Sequence, residues 1–484
     1  MNEKWKKIIR KAFIAAFWLM LWWGLSLWVN SDILVVSPRK ALAGLWEILA
    51  EGTAFIAAGG TLLRIALGFF AGATAAVLLA MVSAACRPVE ELLAPMISLL
   101  TVVPVASFAV LLLIWWGSSF LAVAISYLIV FPLVYTAVLQ GIRSMDQRMT
   151  EMAKVFRMPL WNRFFYLYRP SVRPFLVSSL KVALGMSWKS GVAAELIGVP
   201  AHSLGEQLYL SKVYLDTAGV FAWTAVVVLL SYLFEKAVLF GVERFFAWQP
   251  ECRPVNHSGK KKRYRRTNSL CGETEPFSGD AAGVVIRRLQ KEFNGKSLFS
   301  VEECTLVPGQ IYRLDAPSGS GKTTFLRILA GLEPYRGSIR RKEMGMTDMG
   351  ADSSAQLEMS VLPQCSMCFQ EDRLCEELSA VKNVAMVIGD EKCAKEALSL
   401  LLPEEDLEKP CGQLSGGMRR RVAVVRAMEA PGELVLLDEP YNGLDPDNRR
   451  KVRDYILSRQ RGRGIVLASH IQDAREEIGT FSGQ

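Results

Sequence analysis

The chain has 484 residues, 51% of them apolar, a net charge of +9 at neutral pH and a mean hydropathy of +0.23. A chain this long holds about three domains, and so apolar a composition excludes a disordered polymer or a small disulfide-stapled domain. Charged residues are sparse in residues 1–248 and frequent in 249–484. We therefore expect a membrane-embedded first half and a water-exposed second half.

Long runs without charged residues predict six membrane-spanning helices in the first half, since a span needs roughly 20 apolar residues. The 51-residue run Leu92–Ile142 is long enough for two spans, which we divide at Trp116–Ser119. A further, less pure span is interrupted by Lys181, Lys189 and Glu195. The runs, in chain order, are Ala12–Val29, Ile65–Cys86, Leu92–Ile142, Pro174–Gly198 and Thr217–Phe234.

Charged residues inside a span need a reason. We expect Lys189 to pair with Glu195, or Lys181 and Lys189 to extend to the membrane surface, with an anion path as the alternative. Arg64, at the start of a span, is expected at the interface.

Basic residues predict the orientation, because Lys and Arg are retained on the cytoplasmic side. They cluster before the first predicted span and in the even-numbered loops, which places the N-terminus inside. Because the number of spans is even, the second half then also lies in the cytoplasm. The membrane is expected to be the plasma or inner membrane of the cell.

The nine cysteines also fall on the cytoplasmic side, where thiols stay reduced. Cys365 and Cys368 form a C-x-x-C without a second pair, so we expect no zinc site.

Residues 249–281 lose all hydrophobic periodicity and contain a basic cluster at 260–266. This segment is expected to be a solvated tether between domains. Contact with anionic membrane lipid is the alternative, because basic residues near such a surface gain roughly 1 kcal/mol each. No nucleic-acid-reading motif accompanies the cluster, so we expect no nucleic-acid partner.

A nucleotide site is predicted where the strand pattern Gln310–Asp315 runs into a glycine-rich turn and then a helix. Backbone N–H groups of such a turn surround phosphates, a lysine reaches the β and γ phosphates, and a hydroxyl binds Mg²⁺. Ala316 stands where the strict pattern has glycine, which costs roughly 1 kcal/mol if that position needs a positive φ. The predicted nucleotide-binding residues are Ser318, Gly319, Ser320, Gly321, Lys322, Thr323 and Thr324, with Thr323 also on the metal.

Two further strand patterns end in polar residues that can act on a nucleotide. Glu433–Leu437 leads into Asp438 and Glu439, and Gly464–Ser469 leads into His470. Ligands of parallel sheets bind beyond the carboxyl ends of the strands. Asp438 is therefore predicted to hold Mg²⁺, and Glu439 to act as the general base for the attacking water.

The stretch Leu414–Met418 reads Leu-Ser-Gly-Gly-Met and resembles the signature of ATP-binding cassette transporters. The resemblance covers most of 282–484 and implies an ATP- and Mg²⁺-dependent ATPase. Phe293 matches the aromatic residue that stacks on adenine, Gln370 the glutamine that senses the metal, Asp445 the aspartate at the dimer seam, and His470 the histidine that contacts the γ-phosphate.

In this family the signature residues Ser415, Gly416 and Gly417 close on the ATP of a partner cassette. One phosphate loop and one signature thus imply a homodimer with two composite sites, or a heterodimer with a homologous fusion.

The first half resembles the permeases of binding-protein-dependent importers. Glu151 and Ala153 match that family's coupling loop, expected over 143–173, although Met152 and Arg157 replace its usual alanine and glycine. Trp188, Ala194-Glu195 and 215–217 are most similar to the nitrate, sulfonate and taurine group. The resemblance implies import of a small polar or anionic solute brought by an extracytoplasmic binding protein, and the alternatives are a half-size exporter or a non-transporting regulatory ATPase.

The predicted organisation is a multi-domain chain with three segments. An all-α, six-span transmembrane permease domain occupies residues 1–248 and a basic linker 249–281. An α/β phosphate-loop NTPase domain follows over 282–484.

Overall fold

The computed structural model describes residues 3–29, 31, 34–50, 52–253, 281–293, 296–314, 316–317, 319–343, 362–469 and 479–481. The chain forms two compact units, Met1–Ser144 with Arg169–Gln249 and Met145–Tyr168 with Pro250–Gln484. The sequence assigned all of 1–248 to one domain, whereas residues 145–168 belong to the second unit. Most of the predicted basic linker, 254–280, lies outside the described residues.

The regular secondary structure of the first unit is all helical across its described residues. Its long helices are rich in Leu, Val, Ala and Phe, and their backbone hydrogen bonds are satisfied within each helix, as a hydrocarbon environment requires. The helices are α1 (Glu3–Val29), α2 (Pro38–Ala50), α3 (Thr53–Ala85), α4 (Arg87–Val102), α5 (Val105–Trp116), α6 (Ser118–Arg143), α9 (Arg169–Gly198), α10 (Leu204–Val213) and α11 (Thr217–Ala247).

The described residues hold four helices long and apolar enough to cross a membrane, or five if the bent pair α4 and α5 counts as one span. The sequence predicted six. The pair α4 and α5 bends by 104° at Val103–Pro104, because proline removes a helical hydrogen bond. The predicted division at Trp116–Ser119 coincides with the end of α5 at Gly117. The span predicted at Pro174–Gly198 is helical within α9, but its charged residues keep it out of the apolar set.

Helices α3, α6 and α9 form the centre of the first unit, and small residues let their backbones approach closely. A Cβ at Gly68 of α3 would lie 2.3 Å from the carbonyl oxygen of Val123 in α6. A Cβ at Gly191 of α9 would lie 2.8 Å from the Ile65 side chain. Close approach through small residues is how helices associate in lipid, where burial of apolar surface supplies little drive.

Glu195 is fully buried in the first unit, and its partners differ from those predicted. Its carboxylate accepts hydrogen bonds from Thr61 Oγ1 at 2.6 Å and the Gly205 N–H at 3.3 Å, and it pairs with Arg64 at 3.3 Å. The expected pairing with Lys189 is therefore wrong, and Lys189 is exposed. Arg64, expected at the membrane interface, is an ion-pair partner because it lies one turn from Thr61 on the same helix face.

The second unit joins a short helical segment from the middle of the chain to an α/β domain. The segment contains α7 (Gln147–Val155), α8 (Leu160–Arg163) and a π-helical turn at Phe164–Tyr168. The strands are β1 (Ala281–Phe293), β2 (Lys296–Leu306), β3 (Ile311–Leu314), β4 (Arg336–Glu343), β5 (Cys365–Cys368), β6 (Leu434–Asp438), β7 (Gly464–Ala468) and β8 (Gly479–Phe481). The remaining helices are α12 (Lys322–Leu329), α13 (Ala380–Ile388), α14 (Glu391–Ser399), α15 (Gly416–Glu429) and α16 (Pro446–Ser458).

Two sheets organise the α/β domain. An antiparallel sheet has the order β2-β1-β4, and a parallel sheet has the order β5-β6-β7-β3-β8. Strands β5, β6 and β7 are fully buried, as expected of short apolar strands covered on both faces. Because these strands are parallel, the loops after β3, β5, β6 and β7 leave the same edge of the sheet. The residues predicted to act on a nucleotide therefore lie at one edge. The predicted fold class, a helical membrane part followed by an α/β phosphate-loop domain, is confirmed.

Candidate functional site

The glycine-rich turn lies between β3 and α12. Gly319 and Gly321 have φ angles of 84° and 93°, a left-handed conformation that glycine adopts at no steric cost. Ala316 is not among the left-handed residues, so the expected strain of alanine there does not arise. Lys322 begins α12, and its Nζ donates to the carbonyl oxygen of Ala316 at 2.6 Å. Thr323 and Thr324 follow in the first turn of the same helix.

Asp438 is the last residue of β6 and only 2% exposed. Burial raises the pKa of this carboxyl, and a hydrogen bond with Thr323 partly opposes the rise. Its Oδ2 is buried and has no hydrogen-bond partner among the described residues. A buried carboxylate oxygen without a partner, beside a threonine hydroxyl, suits a hard cation that takes oxygen ligands. These residues therefore fit Mg²⁺.

Glu439 follows directly and has a φ of 50°, in the region that costs a non-glycine residue of order 1–3 kcal/mol. Its N–H donates to the carbonyl oxygen of Ala468 at 2.8 Å. Strain of this kind persists only where surrounding contacts hold the residue. The structure thus fixes the backbone of the predicted general base at the edge of the sheet.

Gln370 lies two residues beyond β5, in a loop that faces Asp438. A cavity of about 420 Å³ opens between this loop and α12. Gln370, Thr323 and Asp438, the three residues predicted to bind the metal, all line it. Glu151 of α7 lines the same cavity, so the predicted coupling loop borders the predicted metal site.

The two predicted dimer-facing motifs each begin a helix. Ser415 caps α15, where its side chain accepts a hydrogen bond from the Met418 N–H at 3.3 Å, and Gly416 is exposed. The N-terminus of this helix therefore presents N–H groups that favour an anion. Asp445 caps α16 by accepting from Asn448, backbone and side chain, at 2.7 Å each, which lowers the pKa of its carboxyl. Within one chain, Asp445 is thus a helix cap.

Two arginines bind Glu151 of the coupling segment, the short helical segment at residues 145–168. Its carboxylate accepts two hydrogen bonds from Arg327 of α12, at 2.9 and 3.0 Å, and one from Arg373 at 2.8 Å. A hydrogen bond from Arg327 is the largest cause that lowers the pKa of the Glu151 carboxyl. A hydrogen bond from Arg373 and the positive charges of both arginines lower it further, while burial opposes them by raising it. Ala153 and Met152 are buried beside it. Sequence reasoning missed both arginines, which lie 176 and 222 residues away along the chain.

Arg157, at the position of the family's usual glycine, has a φ of 48°. The backbone just after α7 therefore adopts the conformation for which glycine is favoured. The arginine there thus carries backbone strain.

Three of the predicted site residues lie outside the described side chains. Ser318 and His470 lie outside the described residues. Phe293 is the last residue of β1, paired in register with Lys296. Its backbone position is all that is described.

Comparison with known families assigns both halves of the chain. Residues 61–240 match the family described as the inner membrane component of binding-protein-dependent transport systems. Residues 301–442 match the family described as ABC transporter. The matched segments correspond to most of α3–α11 and to the α/β domain from β2 to the residues just after β6.

Individual relatives match the second half. An uncharacterized ABC transporter ATP-binding protein of Haemophilus influenzae is 33% identical over 195 residues, which are 39% of this chain and 75% of that protein. An Fe(3+) ions import ATP-binding protein of Rhizobium meliloti is 36% identical over 202 residues, 39% of this chain and 54% of that protein. This chain thus spans about half of the second relative.

Among solved structures, a dimeric ATP-binding cassette in a post-hydrolysis state, bound to ADP and Pi, is similar. It has 23% identity and a TM-score of 0.32, and the match covers 39% of this chain and 88% of that one. Taken with the relatives, the two family matches show that this membrane protein belongs to the ABC transporter family and joins, in one polypeptide, an import-type permease segment to an ATP-hydrolysing cassette.

Proposed function

We propose that the protein uses ATP hydrolysis to import a small polar or anionic solute delivered by a separate extracytoplasmic binding protein. The single observation that carries the proposal is the position of Glu151. Two arginines bind its carboxylate at the wall of the cavity that Thr323, Gln370 and Asp438 also line. A coupling loop held there responds to changes at the nucleotide.

Hydrolysis needs a base, an anchor for the phosphates and a water molecule in line with the bond that breaks. Glu439 accepts a proton as the water oxygen attacks the γ-phosphorus, and the bond to the β–γ bridging oxygen breaks with its electron pair leaving on ADP. Lys322 and the N–H groups of the turn containing Gly319 and Gly321 balance the phosphate charge. Thr323, Gln370 and Asp438 would hold Mg²⁺, which would supply further charge neutralisation when bound. In this proposal His470 contacts the γ-phosphate, Ser318 belongs to the phosphate-binding turn, and Phe293 stacks on the adenine.

Two cassettes are needed for a complete site. The exposed N-terminus of α15 at Ser415, Gly416 and Gly417 supports an anion-binding role toward a partner's ATP, because its N–H groups and helix dipole favour negative charge. Asp445 is assigned to the seam beside it. We therefore propose a homodimer, with two ATP molecules bound between its cassettes.

ATP can drive transport only if it binds the closed arrangement of the cassettes more tightly than the open one. In the proposed cycle, ATP closes the dimer and Glu151 follows α12 through Arg327. Hydrolysis and release of phosphate then reset the permease. The Glu151 helix thereby transmits nucleotide state to the membrane segment.

The solute class rests on the permease match and on the resemblance of Trp188, Ala194 and Glu195 to the nitrate, sulfonate and taurine group. Import is favoured over export because residues 61–240 match a binding-protein-dependent family. The proposed location is the plasma or inner membrane with the cassette in the cytoplasm.

The test uses the full chain in lipid vesicles with an extracytoplasmic binding protein that binds nitrate, a sulfonate or taurine. We expect the loaded binding protein to stimulate ATP hydrolysis several-fold and radiolabelled nitrate, sulfonate or taurine to accumulate. Glu439→Gln should abolish turnover while nucleotide binding, measured with a fluorescent ATP analogue, is preserved. Stimulation by lipophilic compounds alone, without a binding protein, would overturn import in favour of export.

A further inference from the structure

Arg420 lies near the start of α15, and one guanidinium group connects two other segments of the cassette. It is 3% exposed. On one side it donates to the carbonyl oxygens of Phe369 at 2.6 Å and Gln370 at 3.2 Å. On the other side it donates to the carbonyl oxygen of Glu439 at 2.7 and 3.1 Å, and to that of Asp438.

The geometry of these contacts requires arginine. Guanidinium carries five N–H donors in a rigid planar fork, whereas lysine offers a single ammonium on a flexible stem. Asp372 provides a carboxylate at 3.2 Å from the guanidinium, and the other acceptors are backbone carbonyls. A buried cation with this many directed bonds fixes the relative position of the loop at Gln370 and the strand end at Glu439.

The contact with Glu439 falls on a strained backbone. The φ of Glu439 is 50°, its N–H is held by Ala468, and its carbonyl is held by Arg420. Both peptide groups around the strained residue are therefore tied down, one by β7 and one by α15. The Asn442 N–H also donates to the Glu439 carbonyl oxygen, at 3.1 Å, so loss of Arg420 weakens the second tie and makes relaxation toward an ordinary φ less costly.

A second arginine of the same helix holds the next part of the Gln370 loop. Arg426 is fully buried and donates to the carbonyl oxygens of Asp372 and Arg373, both at 2.8 Å. Arg373 also has a left-handed φ, of 47°, and it binds Glu151. Two buried arginines of helix α15 thus bind the backbone of the loop that carries Gln370.

We propose that Arg420 is a positioning residue that links the two ATP sites of the dimer. This inference rests on the proposed function, in which Ser415 of one chain contacts the partner's ATP while Gln370 and Glu439 of the same chain serve its own ATP. Ser415 and Arg420 lie on one rigid helix, five residues apart. A shift of α15 caused by the partner's nucleotide therefore reaches Gln370 and Glu439 through Arg420.

The experiment measures ATP hydrolysis by the full chain in lipid nanodiscs as a function of ATP concentration. Wild-type protein is expected to hydrolyse ATP cooperatively. Arg420→Lys should lower kcat roughly tenfold and bring the Hill coefficient to about one. ATP affinity is compared between the Glu439→Gln variant and a double variant that also carries Arg420→Lys. The two affinities should agree within roughly twofold, because Arg420 contacts the backbone of the site rather than its phosphate-binding turn.

Arg463 supplies a matched control. It is buried as well, and it donates to the carbonyl oxygens of Met428 at 2.6 Å and Ala430 at 3.0 Å, away from Gln370 and Glu439. Arg463→Lys should lower the melting temperature and leave the Hill coefficient unchanged. Asp372→Asn, a milder change, removes the carboxylate beside Arg420 and should give an intermediate Hill coefficient even if Arg420→Lys does not fold.

Distinct outcomes separate the two proposals. Wild-type cooperativity in a folded Arg420→Lys or Asp372→Asn protein would overturn the link, and so would an equal loss of cooperativity in Arg463→Lys. A wild-type protein that hydrolyses ATP with a Hill coefficient of one also overturns it and leaves the proposed transport function standing. Absence of any binding-protein-stimulated hydrolysis in the wild type would overturn the proposed function instead.

Discussion

Asn162 pairs with Arg253 through both atoms of its side-chain amide. Its Nδ2 donates to the Arg253 carbonyl oxygen at 2.9 Å, and its Oδ1 accepts from the Arg253 N–H at 3.0 Å. The second Nδ2 hydrogen goes to the carbonyl oxygen of Met386 in α13, at 2.8 Å. Asn162 is fully buried, so one side chain joins the coupling segment, the chain leading out of α11 and the cassette.

Substituting Asn162 tests the importance of this junction. Asn162→Asp removes the two N–H donors and places a carboxylate against two carbonyl oxygens, which costs about 3 kcal/mol because the group is buried and repelled. We expect a fall of several degrees in the melting temperature of the cassette transition, measured by calorimetry. Asn162→Gln, which keeps the amide on a longer stem, should lose less stability. Equal melting temperatures for the Asn162→Asp variant and the wild type would contradict the role of the donors.

Glu151 is expected to carry coupling more than catalysis. Glu151→Gln keeps the shape but loses the charge that both arginines bind, weakening contacts worth about 2 kcal/mol in total. We expect solute uptake to fall at least tenfold while basal ATP hydrolysis changes less than twofold. Glu333→Gln is the matched control, because Glu333 also contacts Arg327, at 3.2 Å, without belonging to the coupling segment. Parallel losses of uptake and basal hydrolysis in Glu151→Gln would contradict this division.

Asp438 should show a defined pH dependence. Burial raises the pKa of its carboxyl above the ordinary value, so the folded protein holds that proton more tightly than the unfolded chain and the ionised form destabilises the fold. Asp438→Asn should therefore unfold at a higher temperature than wild type when Mg²⁺ is absent. The difference should be small below about pH 4, where the unfolded carboxyl is protonated as well, grow as pH rises toward the raised pKa of the folded protein, and level off above it. Mg²⁺ should stabilise wild type and leave Asp438→Asn unchanged, as thermal unfolding with and without the ion would reveal.

Arg157 offers a stabilising substitution. Its φ of 48° is strained for any residue with a Cβ, and glycine relieves about 1 kcal/mol of that strain. We expect Arg157→Gly to raise or maintain stability, despite the greater entropy of glycine in the unfolded chain. Arg157→Ala, which keeps the Cβ and loses the charge, is the control and should give no gain. A lower melting temperature for glycine than for alanine would show that the entropy of glycine in the unfolded chain outweighs the relief of strain.

Contiguous motifs could be predicted from the sequence, and contacts between distant segments could not. The phosphate turn, Asp438-Glu439 and the α15 cap at Ser415 each depend on neighbouring residues with fixed spacing. Arg327, Arg373 and Arg420 are three among the many basic residues of the second half, and only the fold selects which of them is buried against a carboxylate or a carbonyl.

The first unit was harder to predict for a related physical reason. Hydropathy alone identifies where a helix is apolar, but Pro104 bends α4 against α5, and Glu195 is buried because Arg64 and Thr61 from α3 reach it. Such pairing satisfies a charge that a hydropathy count treats as an interruption. The span count from sequence was therefore higher than the number of apolar helices described, while the helix at Pro174–Gly198 was placed correctly.

The membership of 145–168 in the same compact unit as the cassette has a consequence for assembly in the cell. A cassette made as a free subunit meets its permease by diffusion and can exchange among several permeases. Here residues 145–168 and the cassette are parts of one polypeptide, so we expect their effective concentration to lie in the millimolar range. We therefore expect the ratio of permease to ATPase to be fixed at synthesis.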